Sequence, residues 1–578
     1  MRTAANCQHQ NNGVIVLTGD TTLSSPVSIE QNTIIDLAGN ALKYSGTEVE
    51  AFINVASEYS LTIRDSEGDG VVQVDNQNIS CIKVSAGASF TLESGKLENL
   101  NSASEASEVI KNYGTTNING GTVHGVTGIF MFDPNTYDKD SELSNQVAVC
   151  NVTGGTIDGL ACTSYKGESV TQGEGWSWGI AIYGPGVAED GSVDNRKTIL
   201  NISGGTIKAS QGIGTNASSG QYAGNTINIT GGTINGVGNG GTGMYLPAIG
   251  VTNISGGTIT GDQAIRICAG DLNITGGTIQ GTALSNDSDL IAGGSGGTTG
   301  AIVVGKASGG YVGNINVNVS ENAKIVNTAT KPQNTDVAPA IVVSDKNMAL
   351  TTEQPIKDAA GNYIEGEIFK YSESAINVTI NAPVSGDVVK ISNLTQNTTT
   401  HDGGNTNLNL DGSTVTGNVI NRSGSNMSVY NTTVTGNVSN SSDGSIIINN
   451  SDVTGKVTNT DKNGNLAVLD SNVGIKGENV TMVNSTESGV PIEDTATDKV
   501  EAFIGATPYA TLEAAIAAAQ DGDVVTLVKD AVVDATGKGN NDGILSIQGK
   551  NIMINGNGKT ITAEKVNGTP SMINVQDR

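Results

Sequence analysis

The sequence predicts an all-β fold, a right-handed parallel β-helix (solenoid) with a short amphipathic helix near residues 511–520. Three observations carry that expectation. A phrase of the form N-[IV]-x-G-G-T-[IV] recurs as NINGGTV from Asn117, NVTGGTI from Asn151, NISGGTI from Asn201, NITGGTI from Asn228, NISGGTI from Asn253 and NITGGTI from Asn273. A tighter phrase, V-[ST]-G-x-V, starts at Val384, Val415, Val434 and Val453. Glycine fills 77 of 578 positions against 11 prolines, high for a globular domain yet without collagen's three-residue period.

Within the first phrase, Asn–Ile/Val–Ser/Thr is a short strand with one apolar side chain facing inward, because strand side chains alternate faces. The Gly-Gly pair turns the chain through backbone angles that other residues avoid. Thr-Ile opens a second strand, with Ile inward again. A unit this short cannot bury its apolar residues alone, but copies stacked about 4.8 Å apart make a continuous interior. The six asparagines then form one ladder, and Ile118, Val152, Ile202, Ile229, Ile254 and Ile274 an aliphatic one. Successive phrases are 34, 50, 27, 25 and 20 residues apart. Intervals of 20 to 27 suit one three-sided coil, whereas 34 and 50 require a degenerate coil between phrases or a loop thrown out of a coil. Handedness follows from the right-handed crossover that joins parallel strands. Leucine-rich and WD40 spacings are missing.

In chain order, residues 1–11 read as a disordered arm and 12–490 as the β-helix. From 12 the runs GVIVLTGDTTL, VSIEQNTIIDLAGNALKY and FINVASEYSLTIRDSEGDGVVQV alternate apolar and polar residues and break at Gly, Asn and Asp. FTLESGKLEN, beginning at Phe90, is a degenerate copy of the central phrase. Residues 100–371 form a loop-bearing half with irregular stretches at 160–197, 287–313 and 328–371. Residues 384–480 read as slim regular coils, a stalk in which the last three phrases lie 19 residues apart. A polar linker at 491–499 leads to a helical cap segment at 500–520, where Leu512, Ala515, Ile516 and Ala519 share one face. That helix is expected to cover the open end of a solenoid, whose last strands expose unpaired backbone. Residues 521–578 then repeat the opening of the chain: SIQGKNIMINGN matches SIEQNTIIDLAGN with one gap, and MINV matches FINV. They are expected to begin a second, truncated β-helix, which makes the chain a segment of a longer tandem array.

The N-[IV]-[ST]-G-G-T-[IV] phrases resemble those of pectin-lyase-like parallel β-helix proteins, above all the large secreted, adhesin-like repeat proteins of gut-type bacteria. The run from Tyr509 to Leu527, Y-x-T-L-x-x-A-I-x-x-A-x-x-G-D-x-V-x-L, is similar to the opening module of such β-helices. The resemblance spans nearly the whole chain and implies the fold. It implies no single function, because the superfamily holds lyases, hydrolases, tailspikes, adhesins and inert scaffolds, and it carries over no functional residue.

Thirty basic and 57 acidic residues give a net charge of −27, which argues against nucleic acid and anionic membranes as partners. The chain has no run of about 20 apolar residues, so no membrane insertion is expected. MRTAANCQHQNN lacks the apolar core of a signal peptide, and the resemblance places the protein outside the cell or on its surface. Five cysteines without C-x-x-C spacing fit neither a disulfide framework nor a zinc site. Cys81, Cys150 and Cys268 lie in strand-like runs and are expected to be small buried residues. His9, His124 and His401 sit in unrelated contexts, which argues against a histidine metal site.

Three kinds of site compete. A hydrolase on this fold needs two carboxylates about 5–10 Å apart, and a calcium-dependent lyase needs several acids plus an Arg or Lys base. The residues that follow G-G-T-I are Asp158, Lys208, Asn235, Thr260 and Gln280, which make no carboxylate stack. Asp262 and Arg266 can share a strand face, with Asp287 in a nearby loop; these are the fallback catalytic residues, against the reading of each as a solvated turn or exposed pair. The G-H-G and paired-Asp phrases of pectin-hydrolysing families are missing, so the sequence leans away from catalysis. For ligand binding, Trp176, Trp178, Tyr165 and Tyr183 cluster in the 160–197 stretch, against the reading that their rings pack it onto the solenoid wall. For metal, Asp65 and Asp69 in DSEGDG are the calcium candidate, without the length or terminal Glu of an EF-hand; turn chemistry is the simpler reading, and no other cofactor is expected.

The function expected is therefore a non-catalytic, extracellular, adhesin-like surface solenoid that binds glycan or a host or bacterial surface protein through loops on one flank. A carbohydrate-active enzyme or a phage-type polysaccharide-binding fibre is the alternative. A structural unit stacking head to tail, through complementary ends at 12–60 and 521–578, is the third reading.

Overall fold

The computed structural model describes residues 6–9, 13–47, 49–104, 107–131, 147–165, 168–169, 176–183, 197–216, 222–285, 298–305, 314–331, 337–344, 354–357, 363–369, 375–391, 406–492, 500–505, 507–538, 543–568 and 570–576. The chain divides into two compact units, residues 1–342 with 350–374 and residues 343–349 with 375–578.

In the first unit each coil carries three short strands. The coil that opens with the first phrase contains Thr115–Ile118, Thr122–Gly125 and Thr127–Met131. Each pairs in parallel with its counterpart on the next coil, in Val147–Val152, Thr156–Gly159 and Trp178–Tyr183. Repetition of this step builds three parallel ladders, the first, second and third walls of a parallel β-helix. Alternation puts Ile118, Val123, Ile129 and Met131 inside, all without exposed surface.

The phrases stack in register. Asn117, Asn151, Asn201, Asn228, Asn253 and Asn273 are successive Cα partners on the first wall, and the column continues to Asn318. From Asn151 on, each side-chain Nδ2 donates to the Oδ1 of the asparagine one coil earlier, at 2.8–3.2 Å. Direct pairing across 34 and 50 residues settles the two long intervals: those phrases lie on adjacent coils, with no degenerate coil between them.

The two glycines of the phrase do different work. Gly205 has φ +76°, the left-handed region, whereas its neighbour Gly204 does not. A Cβ on Gly204 would lie 2.2 Å from the carbonyl oxygen of Thr153, so that position is set by the closeness of the coil before it.

Part of the stretch expected to be irregular is regular wall. Trp178–Tyr183 is the third-wall strand of its coil, paired with Thr127–Met131 on one side and Gln211–Asn216 on the other. Gly300–Val304, inside the 287–313 stretch, likewise pairs with Gln263–Ile267 and is buried throughout. Within 328–371, Gln354–Lys357 and Tyr363–Phe369 form an antiparallel pair. Cys81, Cys150 and Cys268 are buried as expected, and burial pushes the Cys81 and Cys150 thiols up to about 12.

The second unit opens with slimmer coils. Val384, Val415, Val434, Val453 and Val473 stack as one column, and Val388, Val419, Val438 and Val457 as another. A second amide ladder lies inside the coils: Asn421 Nδ2 donates to Asn440 Oδ1 at 3.0 Å, and Asn440 Nδ2 to Asn459 Oδ1 at 3.1 Å. Further bonds from Asn440 to the Ser442 and Gly444 carbonyls complete the partners that buried amides require.

The helix is Leu512–Ala518, capped by Thr511, whose side chain accepts from the Ala514 N–H at 3.1 Å. Three strands follow and pair in parallel with three more: Val524–Leu527 with Met553–Asn555, Ala531–Asp534 with Ile561–Glu564, and Gly543–Gln548 with Ser571–Gln576. The apolar face of the helix shares one core with Ala502 and Ile504 of the strand before it and with Val525, Leu527, Val533, Leu545 and Ile547 of the strands after it. It therefore closes the interior of the strands it precedes. The same region lies along the first wall of the unit's coils, where Val500, Phe503 and Val528 meet Ile447, Ala467 and Leu469.

Candidate functional site

The third wall of the first unit presents an outward column. Phe130, Ala181, Gly214, Tyr245, Arg266 and Val303 are Cα partners on successive coils. Their flanking residues, Ile129 and Met131 on one coil and Met244 and Leu246 on another, face the interior, so alternation turns the column outward. Phe130 and Tyr245 are half-buried there.

Trp178 belongs to the same surface. A Cβ on Gly214 would lie 1.9 Å from Trp178 Cζ3 and 2.6 Å from Cε3, so the indole covers Gly214 and uses the space its missing side chain leaves. Trp176, two residues earlier, is 36% exposed. Tyr183 ends the Trp178 strand, opposite Asn216, and Tyr165 lies in a short antiparallel pair with Glu168. The side chains of Tyr165 and Tyr183 lie outside the described residues.

Phe130 and Tyr245 escaped the sequence reading although a signal was present. The third wall has its own phrase, a small residue, then Ile or Met, then the outward position: Gly128-Ile129-Phe130, Gly179-Ile180-Ala181, Gly212-Ile213-Gly214, Gly243-Met244-Tyr245 and Ala264-Ile265-Arg266. Aligning that phrase puts both rings in one column.

The fallback catalytic residues occupy other settings. Asp262 lies in the turn before Gln263–Ile267; its Oδ2 accepts from the Gly240 N–H at 2.8 Å and its Oδ1 from the Thr282 hydroxyl at 3.0 Å. Both oxygens thus tie the corners of neighbouring coils together. Arg266 lies on the outward column, buried between Tyr245 and Val303. Asp287 lies outside the described residues. At the calcium candidate, Asp65 Oδ1 and Oδ2 accept from the Gly39 and Gly70 N–H groups, each at 2.7 Å, and Asp69 is exposed at φ +66°. Those bonds make Asp65 the organiser of a turn. Among the described residues, no group of three or more His, Cys, Asp or Glu is arranged to hold a metal ion.

The outward column of the second wall carries a charged line of which the sequence reading aligns only Asp158 and Lys208. Gln73, Glu98, His124, Asp158 and Lys208 are successive Cα partners. Gln73 Nε2 donates to Glu98 Oε2 at 2.9 Å, Lys96 pairs with Glu98, and His124 Nδ1 lies 3.2 Å from Asp158 Oδ2. Burial alone would push the Glu98 carboxyl up, but the bonds from Lys96 and Gln73 and the charges of Lys96 and His124 hold it below the usual range. The degenerate phrase FTLESGKLEN and the NINGGTV phrase, read in register, supply Glu98 and His124.

Among the described residues no helix is long and apolar enough to cross a membrane. No family model matches the chain, and no curated protein matches it. Among solved structures the chain is similar to PfbA, a surface adhesin of Streptococcus pneumoniae, with 10% identity and a TM-score of 0.23 over 82% of this chain and 90% of that one. A score that low bears on neither fold nor function.

Proposed function

We propose that the chain is a non-catalytic, adhesin-like surface solenoid of the pectin-lyase-like kind, displayed outside the cell, whose third wall holds glycan. The observation that carries this reading is the aromatic strip on that wall, Phe130, Trp178 and Tyr245, with Trp176 exposed two residues from Trp178. The strip spans about 14 Å, three coil spacings of about 4.8 Å, the scale of a short oligosaccharide. Aromatic rings offer apolar area to the C–H faces of sugars at little cost in side-chain entropy. Net charge of −27 turns the preference toward neutral glycans.

A catalytic reading finds one geometric support. Glu98 and Asp158 stand two coil spacings apart, about 9.6 Å, near the upper end of the separation used by inverting glycosidases. Glu98 is held below the ordinary carboxyl range, however, whereas a general acid needs its carboxyl raised. That opposition favours the binding reading.

The test is incubation with plant, mucin and bacterial polysaccharides, with and without calcium, scoring both retention and chain shortening. Retention without shortening, lost in the Trp176→Ala/Trp178→Ala double variant, supports the proposal. Shortening of any polymer would replace it with the catalytic reading.

A further inference from the structure

A cleft of about 510 Å³ opens in the second unit, between the outward side of its first wall and the chain that follows the helix. The wall contributes Asn377, Asn407 and Asn409, and the later chain contributes Asp523, Ile554 and Asn555. The cleft begins where apolar packing stops. Ile447, Ala467 and Leu469 of the same wall are covered by Val500, Phe503 and Val528, but two coils earlier the wall turns to amides and the covering chain stands off.

Its volume falls within the range of ligand sites, about 300–1,000 Å³. Its chemistry is specific. The polar lining consists of amides, hydroxyls, Asp411 and Asp523; no Lys, Arg or His is among the described residues that line it. Asn409 Oδ1 is buried without a hydrogen-bond partner, an acceptor that costs free energy until a donor reaches it. Asp523 keeps its carboxylate in place through the Gln520 N–H at 2.7 Å and Asn426 Nδ2 at 3.4 Å. Met553, 64% exposed, joins its strand partner Val524 as an apolar patch beside those acceptors.

We propose that this cleft binds a short run of uncharged sugar, whose hydroxyls donate to Asn409 and Asp523 and whose C–H face rests on Val524 and Met553. An acceptor-rich lining with two acids and no cation selects a neutral donor of many hydroxyls and rejects uronates and sialylated sugars. The inference does not rest on the aromatic strip of the first unit.

The experiment is calorimetric titration of the full chain with maltotriose, cellotriose, mannotriose and tri-N-acetylchitotriose, with trigalacturonate and spermidine as anionic and cationic arms. The expected result is binding of at least one neutral trisaccharide. That binding should weaken about tenfold in Asn409→Ala, the loss of one hydrogen bond. It should vanish in Met553→Trp, which fills the cleft from an exposed position, and persist in Trp176→Ala/Trp178→Ala. Three results overturn the proposal: no neutral trisaccharide bound at millimolar concentration, binding lost in the tryptophan variant while Met553→Trp retains it, or tighter binding of trigalacturonate or spermidine than of any neutral sugar.

Discussion

Asn151 donates its side-chain amide to Asn117 at 2.8 Å, although 34 residues of chain separate them. Each rung of this ladder uses both halves of the amide, Nδ2 toward one coil and Oδ1 toward the next. Asn228→Ala therefore strands Asn201 Oδ1 and Asn253 Nδ2 together. The expected loss is about 1–2 kcal/mol, since these groups are half-buried and water recovers part of it. Asn228→Ala and Asn253→Ala combined break three bonds, not four, because the rung between them is shared. Their effects should sum to less than the separate values. Hydrogen exchange along the first wall is the measurement, because a solenoid responds coil by coil.

Two glycines with similar backbone angles should respond differently to substitution. Gly240 has φ +74° with nothing within 4 Å of an added Cβ, so Gly240→Ala costs about 1 kcal/mol of backbone strain. Gly205, at φ +76°, adds a Cβ 2.6 Å from the Gly154 carbonyl oxygen. Gly205→Ala must push two coils apart and should cost at least about 1 kcal/mol more than Gly240→Ala in denaturant unfolding.

The sequence made the stacking legible because repetition encodes register: once Asn117 and Asn151 are equivalent, every residue between strand and turn has an assigned height. Where the phrase decays, that information thins. Trp178–Tyr183 was hidden because its outward residues, Trp178 and Ala181, differ in size and character from Thr127 and Phe130 on the coil before it, so no shared word marks the strand. Only the inward pair, Ile180 and Ile182, is constrained by the interior. The candidate site suffers most from this effect. Outward positions do not share the repeated interior, so Phe130, Tyr245 and Arg266 share a column without sharing chemistry. The cleft of the second unit left no local mark either, since Asn409 and Asp523 meet only through folding across more than a hundred residues.

Two acids, buried Glu98 and half-buried Asp523, should drive stability in opposite directions with pH. Glu98 is held below its ordinary range, so the unfolded chain binds more protons, and its contribution is full above about pH 4.3, lost as pH falls through the lowered value. Asp523 is pushed up by burial, partly offset by the Gln520 N–H and Lys550; the folded chain holds the proton more tightly, and stability falls as pH rises above about 3.9. Glu98→Gln should flatten the acid-side loss in the first unit. Asp523→Asn should stabilise the second unit at neutral pH and remove its decline. Unit-resolved hydrogen exchange across about pH 3 to 7 checks both signs.

Thiol labelling should report burial directly. Cys81, Cys150, Cys162 and Cys268 are buried, and only Cys7 of the five is partly exposed. Burial raises the Cys7 thiol as well, which slows its reaction at neutral pH. The expected outcome is slow incorporation of one label per folded chain, none in Cys7→Ser, and labelling of all five cysteines after denaturation.

Gly214 offers a way to move Trp178 without cutting it. All three atoms nearest to an added Cβ belong to the indole, the closest at 1.9 Å, so Gly214→Ala displaces the ring and leaves the wall's backbone in place. Trp178 is only half-buried, so its displacement should cost less than about 1 kcal/mol of stability. In a Trp176→Phe background, where Trp178 is the remaining tryptophan, its emission should shift to longer wavelength as water reaches the indole. Glycan retention should fall to the level of Trp178→Ala if the ring's position over Gly214 forms the contact. A purely packing role gives the opposite pairing, in which stability falls by several kcal/mol, as when a buried aromatic is lost, and retention is unchanged. Measuring both quantities on one variant separates the two roles of the same side chain.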